Sequence, residues 1–221
     1  MALTTTQVNQ AFLATLGRPA EGSAATWGST SLSLDALLDS IFIAENTEDF
    51  VESLYTEFLG RASDAEGKAF WNSLLATTSK EAVLAQFKAA VIAAGQADPA
   101  NADYQSFIAQ NKAFVTELYT NLLGRTDAAS ADAEGVEFWA NALASGTSKG
   151  ALLAQFTAAA LSDPNSDDAQ TLNAKVNVAN AITAKFNNFN ADVTADQKKA
   201  ALDALKATMT EVVAGSTAED R

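Results

Sequence analysis

One segment of this chain occurs twice, and a weaker copy precedes both. The second copy begins at Phe50 and reads FVESLYTEFLGRASDAEGKAFWNSLLATTSKEAVLAQFKAA. The third begins at Phe114 and reads FVTELYTNLLGRTDAASADAEGVEFWANALASGTSKGALLAQFTAA. The third copy has four additional residues in its first loop, Asp127–Ser130, and one in its second. Because the insertions fall in loops, the repeat is expected to be a structural module.

Each copy has the periodicity of three helices. In the first helix of the second copy, Val51, Leu54, Tyr55, Phe58 and Leu59 form an apolar stripe with helical spacing. The first copy is degenerate, but its first predicted helix also ends in LGR, at Leu16-Gly17-Arg18. No segment alternates as a β-strand does. We therefore predict an all-α fold of about nine to eleven helices in repeated three-helix modules.

The module boundaries follow from the repeat. We predict a degenerate first module at 1–46, a second at 47–97, a third at 98–163 and a C-terminal helical pair at 164–221, and residues 166–221 show no match to the repeat. The segment from Asn101 to Phe114 is expected to lead into the third module as one long helix, or as two with a break near Asn111.

Residues at the ends of the predicted helices are suited to stopping and starting them. Gly60 fits the left-handed position that ends a helix. Ser63-Asp64-Ala65-Glu66 predicts a capping box, with Ser63 as the capping residue. Further caps are expected at Thr78 or Ser79, at Thr147-Ser148 and at Thr194.

The composition excludes several chemistries. The chain contains no Cys and no His, so neither a Ser-His-Asp triad nor an ordinary zinc site can form. Its formal charge of −13 disfavours nucleic acid and anionic lipid as partners. No stretch of about 20 apolar residues could cross a membrane, and residues 1–6 lack the pattern of a cleavable secretory signal. We expect a protein without enzymatic activity, either cytosolic or exported by a route that reads another signal.

Three groups of residues could form a binding site. Loop carboxylates could supply oxygen ligands for Ca²⁺, or they could cap the following helix; these are Asp64, Glu66, Asp127, Asp132 and Glu134. The arginines that follow each helix-ending glycine, Arg18, Arg61 and Arg125, could bind phosphate or carboxylate. They could instead form internal ion pairs with the nearby acidic loop, or donate to helix C-terminal carbonyls. Aromatic residues could stack on sugars, or pack in the core; these are Trp27, Trp71, Trp139, Tyr55 and Tyr119.

The motif resembles the DUF4214 type of helical domain, which recurs in large exported bacterial proteins. The resemblance rests on Leu54-Tyr55, Leu59-Gly60-Arg61, Asp64, Gly67 and Phe70-Trp71, and on their counterparts in the third copy. It covers residues 50–92 and 114–161. This resemblance implies a helical domain and says little about function.

A broader resemblance is to the N-terminal region of Gram-negative surface-layer proteins of the Campylobacter and Caulobacter type. It rests on the start Met-Ala-Leu-Thr-Thr-Thr-Gln-Val, the degenerate first module, the acidic Ala/Thr-rich composition and the absence of Cys and His. It implies a cell-surface module that anchors the layer by binding lipopolysaccharide O-antigen. It also implies type I export without an N-terminal signal peptide, and self-association in a surface lattice.

Binding is expected where the copies differ: in the degenerate first copy, in the 127–130 insertion and in the unmatched C-terminal helices. The candidate glycan-binding residues are Arg18, Trp27, Asp127 and Ser130. The candidate metal ligands are Asp127, Asp132 and Glu134, with Ca²⁺ as the cofactor. The alternative hypothesis is a helical protein–protein assembly or linker module that binds no glycan.

Overall fold

The computed structural model describes residues 2–20, 32–125, 132–185 and 193–213. Within these ranges the chain forms ten α-helices and no β-strand, which confirms the predicted all-α fold. The helices are α1 (Thr5–Leu16), α2 (Leu34–Glu45), α3 (Phe50–Leu59), α4 (Ala65–Leu75), α5 (Lys80–Ala97), α6 (Ala102–Leu123), α7 (Ala133–Ala144), α8 (Lys149–Ala160), α9 (Asp167–Lys185) and α10 (Ala195–Glu211).

Glycine ends the first helix of each copy as its position predicts. Gly17, Gly60 and Gly124 all have left-handed backbones, with φ of 65°, 61° and 70°. A left-handed backbone turns the chain out of the helix and is accessible to glycine at little cost. The motif LGR therefore ends a helix in all three copies.

The predicted N-caps are correct at some helices and wrong at one. The side chains of Ser79 and Thr194 accept hydrogen bonds from the backbone of α5 and α10, as predicted. The cap of α4 is Asp64, whose carboxylate accepts a hydrogen bond from the Gly67 N–H at 2.8 Å. Ser63 instead donates its hydroxyl to Glu52. Either residue type can cap a helix, and the choice depends on Glu52, which lies eleven residues away.

The chain folds as two compact units. One comprises Met1–Leu37, Thr116–Asp132 and Leu153–Arg221, and the other Leu38–Val115 and Ala133–Leu152. We call them the terminal unit and the central unit. The predicted division into four modules stays a prediction.

The core of the central unit is aromatic. Helices α3, α4 and α5 pack against one another. Phe87 lies at the centre, with its ring centroid 5.2 Å from those of Tyr55 and Trp71 and 6.1 Å from that of Phe58. Tilted and edge-on ring pairs of this kind stabilise a core beyond the area that they bury.

The terminal unit buries polar groups and pairs them. Helices α1 and α9 pack together around Asn9, which is fully buried. Its amide nitrogen donates to Asn180 at 2.9 Å, and its amide oxygen accepts from the Ala20 N–H at 2.8 Å and from the Thr183 hydroxyl at 3.1 Å. Because each polar atom has a partner, the network fixes how α1 packs on α9.

Lys175 is another buried polar residue of this unit and is 2% exposed. Its ammonium donates to the backbone carbonyls of Asn121 at 2.8 Å and Thr120 at 3.3 Å. These carbonyls lie in the last turn of α6, where a positive charge is favoured. Burial nevertheless lowers the pKa of Lys175 to about 8.

The repeat extends beyond the segments first aligned, because each complete copy ends with the same turn into a following helix. Asp98 accepts a hydrogen bond from the Ala100 N–H at 2.9 Å, and Asp163 accepts one from the Asn165 N–H at 3.0 Å. Asn101 and Ser166 then cap α6 and α9. Residues 98–111 therefore correspond to 163–176, and Asp98-Pro99, Asp103, Gln105 and Ala109 recur there as Asp163-Pro164, Asp168, Gln170 and Ala174.

Helix α6 itself is continuous. It runs without interruption from Ala102 to Leu123, so the prediction of one long helix is confirmed and no break occurs at Asn111.

Candidate functional site

Tyr55 connects the parts of the repeated motif. The Arg61 guanidinium lies over its ring at 4.9 Å from the centroid, and Tyr55 and Trp71 both pack on Phe87 with ring centroids 5.2 Å away. A Cβ added to Gly67 would overlap the Tyr55 hydroxyl, so the glycine makes room for this side chain. The spacing of Tyr, Arg, Gly and Trp in the motif thus follows from one packing arrangement.

The arginines of the two complete copies form internal ion pairs, as one interpretation predicted, but their bidentate partners lie outside the nearby acidic loop, to which Arg61 makes a longer contact, 3.6 Å from Asp64. Arg61 Nε and Nη2 each lie 2.9 Å from a carboxylate oxygen of Asp103. Arg125 forms the same bidentate ion pair with Asp168, with Nε 3.0 Å from Oδ1. These aspartates belong to the first turns of α6 and α9, more than 40 residues along the chain. Both guanidinium groups are therefore already engaged.

Arg18, a predicted glycan-binding residue, is 6% exposed. Its guanidinium lies over the Phe12 ring at 5.6 Å, and Nη1 donates to the Pro19 carbonyl at 3.4 Å. Only a small part of this side chain is open to a ligand in the described structure. The glycan-binding role of Arg18 stays a prediction.

The two adjacent aromatic residues of the FW motif lie in different environments. Trp71 is 9% exposed and belongs to the core, as one interpretation of the tryptophans predicted. Phe70, by contrast, is 59% exposed and does not belong to this core. Phe138 repeats this arrangement and is 63% exposed, while Trp139 is half-buried.

The sequence did not decide this difference. Adjacent residues on an α-helix point about 100° apart, and both can be buried, as Leu54 and Tyr55 are on α3. The succession of Phe and Trp therefore does not show which of the two faces the core. Exposed aromatic side chains at matching positions of two modules are the main surface feature that sequence reasoning missed.

The phenylalanine rings are held in place. Phe70 packs edge-on to Trp71 with centroids 5.0 Å apart, and Phe138 packs edge-on to Trp139 with centroids 4.9 Å apart. Both phenylalanines belong to the central unit, on α4 and α7. We call Phe70 and Phe138 the exposed phenylalanine pair. Each presents an apolar ring to solvent from a regular helix, packed on the neighbouring tryptophan.

Among the carboxylates of the acidic loops, one caps a helix and the other described ones are exposed to solvent. Asp64 is an N-cap, as the capping interpretation predicted, and its hydrogen bond to the Gly67 N–H lowers its pKa. Glu66, Asp132 and Glu134 are exposed. Across the described ranges, no group of three or more acidic side chains is placed to hold a metal ion. The Ca²⁺ site predicted at Asp127, Asp132 and Glu134 includes a residue outside those ranges and stays a prediction.

Three of the predicted glycan-binding residues, Trp27, Asp127 and Ser130, lie outside the described residues. In the part of the chain that the structure covers, no helix is both long enough and apolar enough to span a membrane.

The architecture and its recurring Tyr–Arg–Asp contacts define a helical repeat protein. The chain belongs to the family of the domain of unknown function DUF4214, which matches residues 42–91 and 96–160, together just over half of the chain. No curated protein and no solved structure matches it.

Proposed function

We propose that this protein is an exported, non-enzymatic cell-surface anchoring module of a surface layer, and that it binds lipopolysaccharide O-antigen. The observation that supports this most is the exposed phenylalanine pair. A flat aromatic ring offers its face to the C–H bonds of a sugar ring, and a ring that is already ordered loses little entropy on binding.

The charge of the chain suggests which part of the polysaccharide is bound. With a net charge of −13, the protein repels phosphorylated groups close to the membrane. The proposed contacts are therefore to neutral sugars of the O-antigen. A cation bridge is the other way to overcome the repulsion, and it would make binding sensitive to a chelator.

The test compares binding of purified protein to smooth lipopolysaccharide and to its O-antigen-deficient form. We expect binding to the smooth form alone. Phe70→Ala with Phe138→Ala should weaken it by about tenfold or more, because aromatic anchors carry a large share of binding energy. Val213→Ala is the matched control, since Val213 is an apolar side chain that is 56% exposed and lies outside the pair.

Equal binding to both lipopolysaccharides, or no binding to either, would overturn the proposal. The alternative, a protein–protein assembly module, predicts self-association without glycan in sedimentation, and loss of that association in the same double variant. A strictly monomeric protein that binds the smooth form would exclude this alternative.

A further inference from the structure

The central unit contains a partly open cavity of about 260 Å³. Its apolar wall includes Phe58, Ile92, Phe107 and Leu143. For comparison, a cavity of about 150 Å³ lined by similar side chains holds benzene. The cavity is therefore large enough for a small organic molecule.

Asn111 lines the same cavity. The residue is 3% exposed, and its amide nitrogen Nδ2 is buried without a hydrogen-bond partner in the described part of the chain. Burying a donor without an acceptor is unfavourable, so buried polar groups in folded proteins nearly always have a partner. The contrast with Asn9, whose amide atoms are paired, shows that this protein satisfies a buried Asn elsewhere.

The repeat shows that the fold does not require Asn at this position. Residues 98–111 correspond to 163–176, so the counterpart of Asn111 is Val176. Val176 is also buried, at 7% exposure, on the equivalent helix. An apolar side chain serves the packing there, which leaves the amide of Asn111 without a structural role of its own.

The charges next to the cavity are neutralised. Lys88 pairs with Asp39 at 2.9 Å, and Lys149 pairs with Glu57 at 3.2 Å. Both lysines line the cavity. An anionic ligand would have to compete with these carboxylates in a protein that is already acidic, whereas a neutral ligand would not.

We propose that this cavity binds a small, neutral, mostly apolar molecule with one carbonyl oxygen, which accepts a hydrogen bond from Asn111 Nδ2. The apolar walls bury the hydrocarbon part of the ligand, and the amide selects the acceptor. This site is separate from the exposed phenylalanine pair and does not depend on glycan binding.

Three probes of similar shape test the chemistry. Acetophenone has the carbonyl, α-methylstyrene replaces it with a methylene group, and benzoate adds a negative charge. Binding is followed by nuclear magnetic resonance titration of the full chain, with the Asn111 side-chain NH₂ signal as the local probe. We expect acetophenone to bind about tenfold more tightly than either other probe, and to shift the Asn111 signal.

Asn111→Val installs the residue that the other copy already has, so the fold should be retained. In this variant acetophenone and α-methylstyrene should bind with about equal affinity, and the binding of α-methylstyrene should persist. Ala89→Trp, at an exposed position of the cavity wall, keeps Asn111 and should abolish the binding of both.

Absence of binding by the wild-type protein would overturn the inference, as would an undiminished preference for acetophenone in Asn111→Val. Equal affinity of the wild-type protein for acetophenone and α-methylstyrene would also overturn it, because the amide would then be satisfied by water alone.

Discussion

Tyr55 explains the spacing of the repeated motif at the level of single residues. Its hydroxyl occupies the space that a side chain at Gly67 would need, and its ring supports the Arg61 guanidinium. The glycine is thus required by a close approach and not by its backbone freedom, since it lies within helix α4.

This close approach predicts that the effect of Gly67→Ala on stability depends on the Tyr55 hydroxyl. Gly67→Ala should destabilise the protein by about 1–3 kcal/mol, the range for overpacking a filled site. In the Tyr55→Phe background, where the hydroxyl is gone, the same change should be nearly neutral or stabilising, because Ala favours a helix over Gly. Urea unfolding of the four variants measures both effects. Equal destabilisation in the two backgrounds would contradict the role assigned to the hydroxyl.

At the scale of elements, the arginines connect the end of one helix with the start of a later one. Arg61 joins the end of α3 to α6, and Arg125 joins the end of α6 to α9. The two pairs differ in exposure. The side chains of Arg61 and Asp103 are 38% and 41% exposed, while those of Arg125 and Asp168 are 31% and 25% exposed.

Double-mutant cycles should rank these two ion pairs. We expect a coupling energy of about 0.5 kcal/mol for Arg61–Asp103, typical of exposed pairs, and about 1 kcal/mol or more for Arg125–Asp168. Replacing each arginine by Lys should lose most of the coupling, because Lys cannot form the bidentate contact. The cycles are measured by urea unfolding, and a larger coupling in the more exposed pair would contradict the ranking.

Sequence reasoning succeeded where local chemistry decides and failed where distant contacts decide. The all-α fold, the glycines that end helices and the caps at Ser79 and Thr194 follow from residue type and spacing. The choice of Asp64 over Ser63 depended on Glu52. The partners of Arg61 and Arg125 lie outside the segments first aligned, although Asp98-Pro99, Asp103 and Gln105 recur as Asp163-Pro164, Asp168 and Gln170. This recurrence was a signal for the two aspartates, but it did not show that the arginines reach them.

The candidate sites depend even more on contacts between residues that are distant in the sequence. Exposure of Phe70 depends on which of two adjacent aromatic residues the core accepts. The cavity at Asn111 forms from segments as distant as Phe58 and Leu143, and its unpaired amide is visible only once these side chains are in place.

For the whole molecule, the absence of His removes the usual source of pH dependence near neutrality. Lys175 is the exception. Burial lowers its pKa to about 8 in the folded protein, whereas the unfolded chain keeps the proton until about pH 10.4. Between these values the unfolded state binds more protons, so stability rises with pH. Below pH 8 Lys175 is protonated in both the folded and the unfolded state, so the free-energy cost of burying its charge is fully present.

The free energy of unfolding should therefore increase between pH 7.5 and 9.5, by up to about 2 kcal/mol, since one pKa unit corresponds to about 1.4 kcal/mol. Lys175→Met should lack this rise, because it keeps the apolar part of the side chain without the charge. Urea unfolding at several pH values compares the two proteins. Parallel profiles would show that another group is responsible.

Helix α6 limits where a duplication of the module could begin and end. Its first half supplies Asp103 and Phe107 to the second copy, and its second half begins the third copy with Val115 and Tyr119. A gene duplication that started or stopped between the copies, near residue 97, would separate Arg61 from its aspartate. A complete second module therefore includes the first half of α6, and a duplicated segment would have to contain that half to keep Arg61 paired with Asp103.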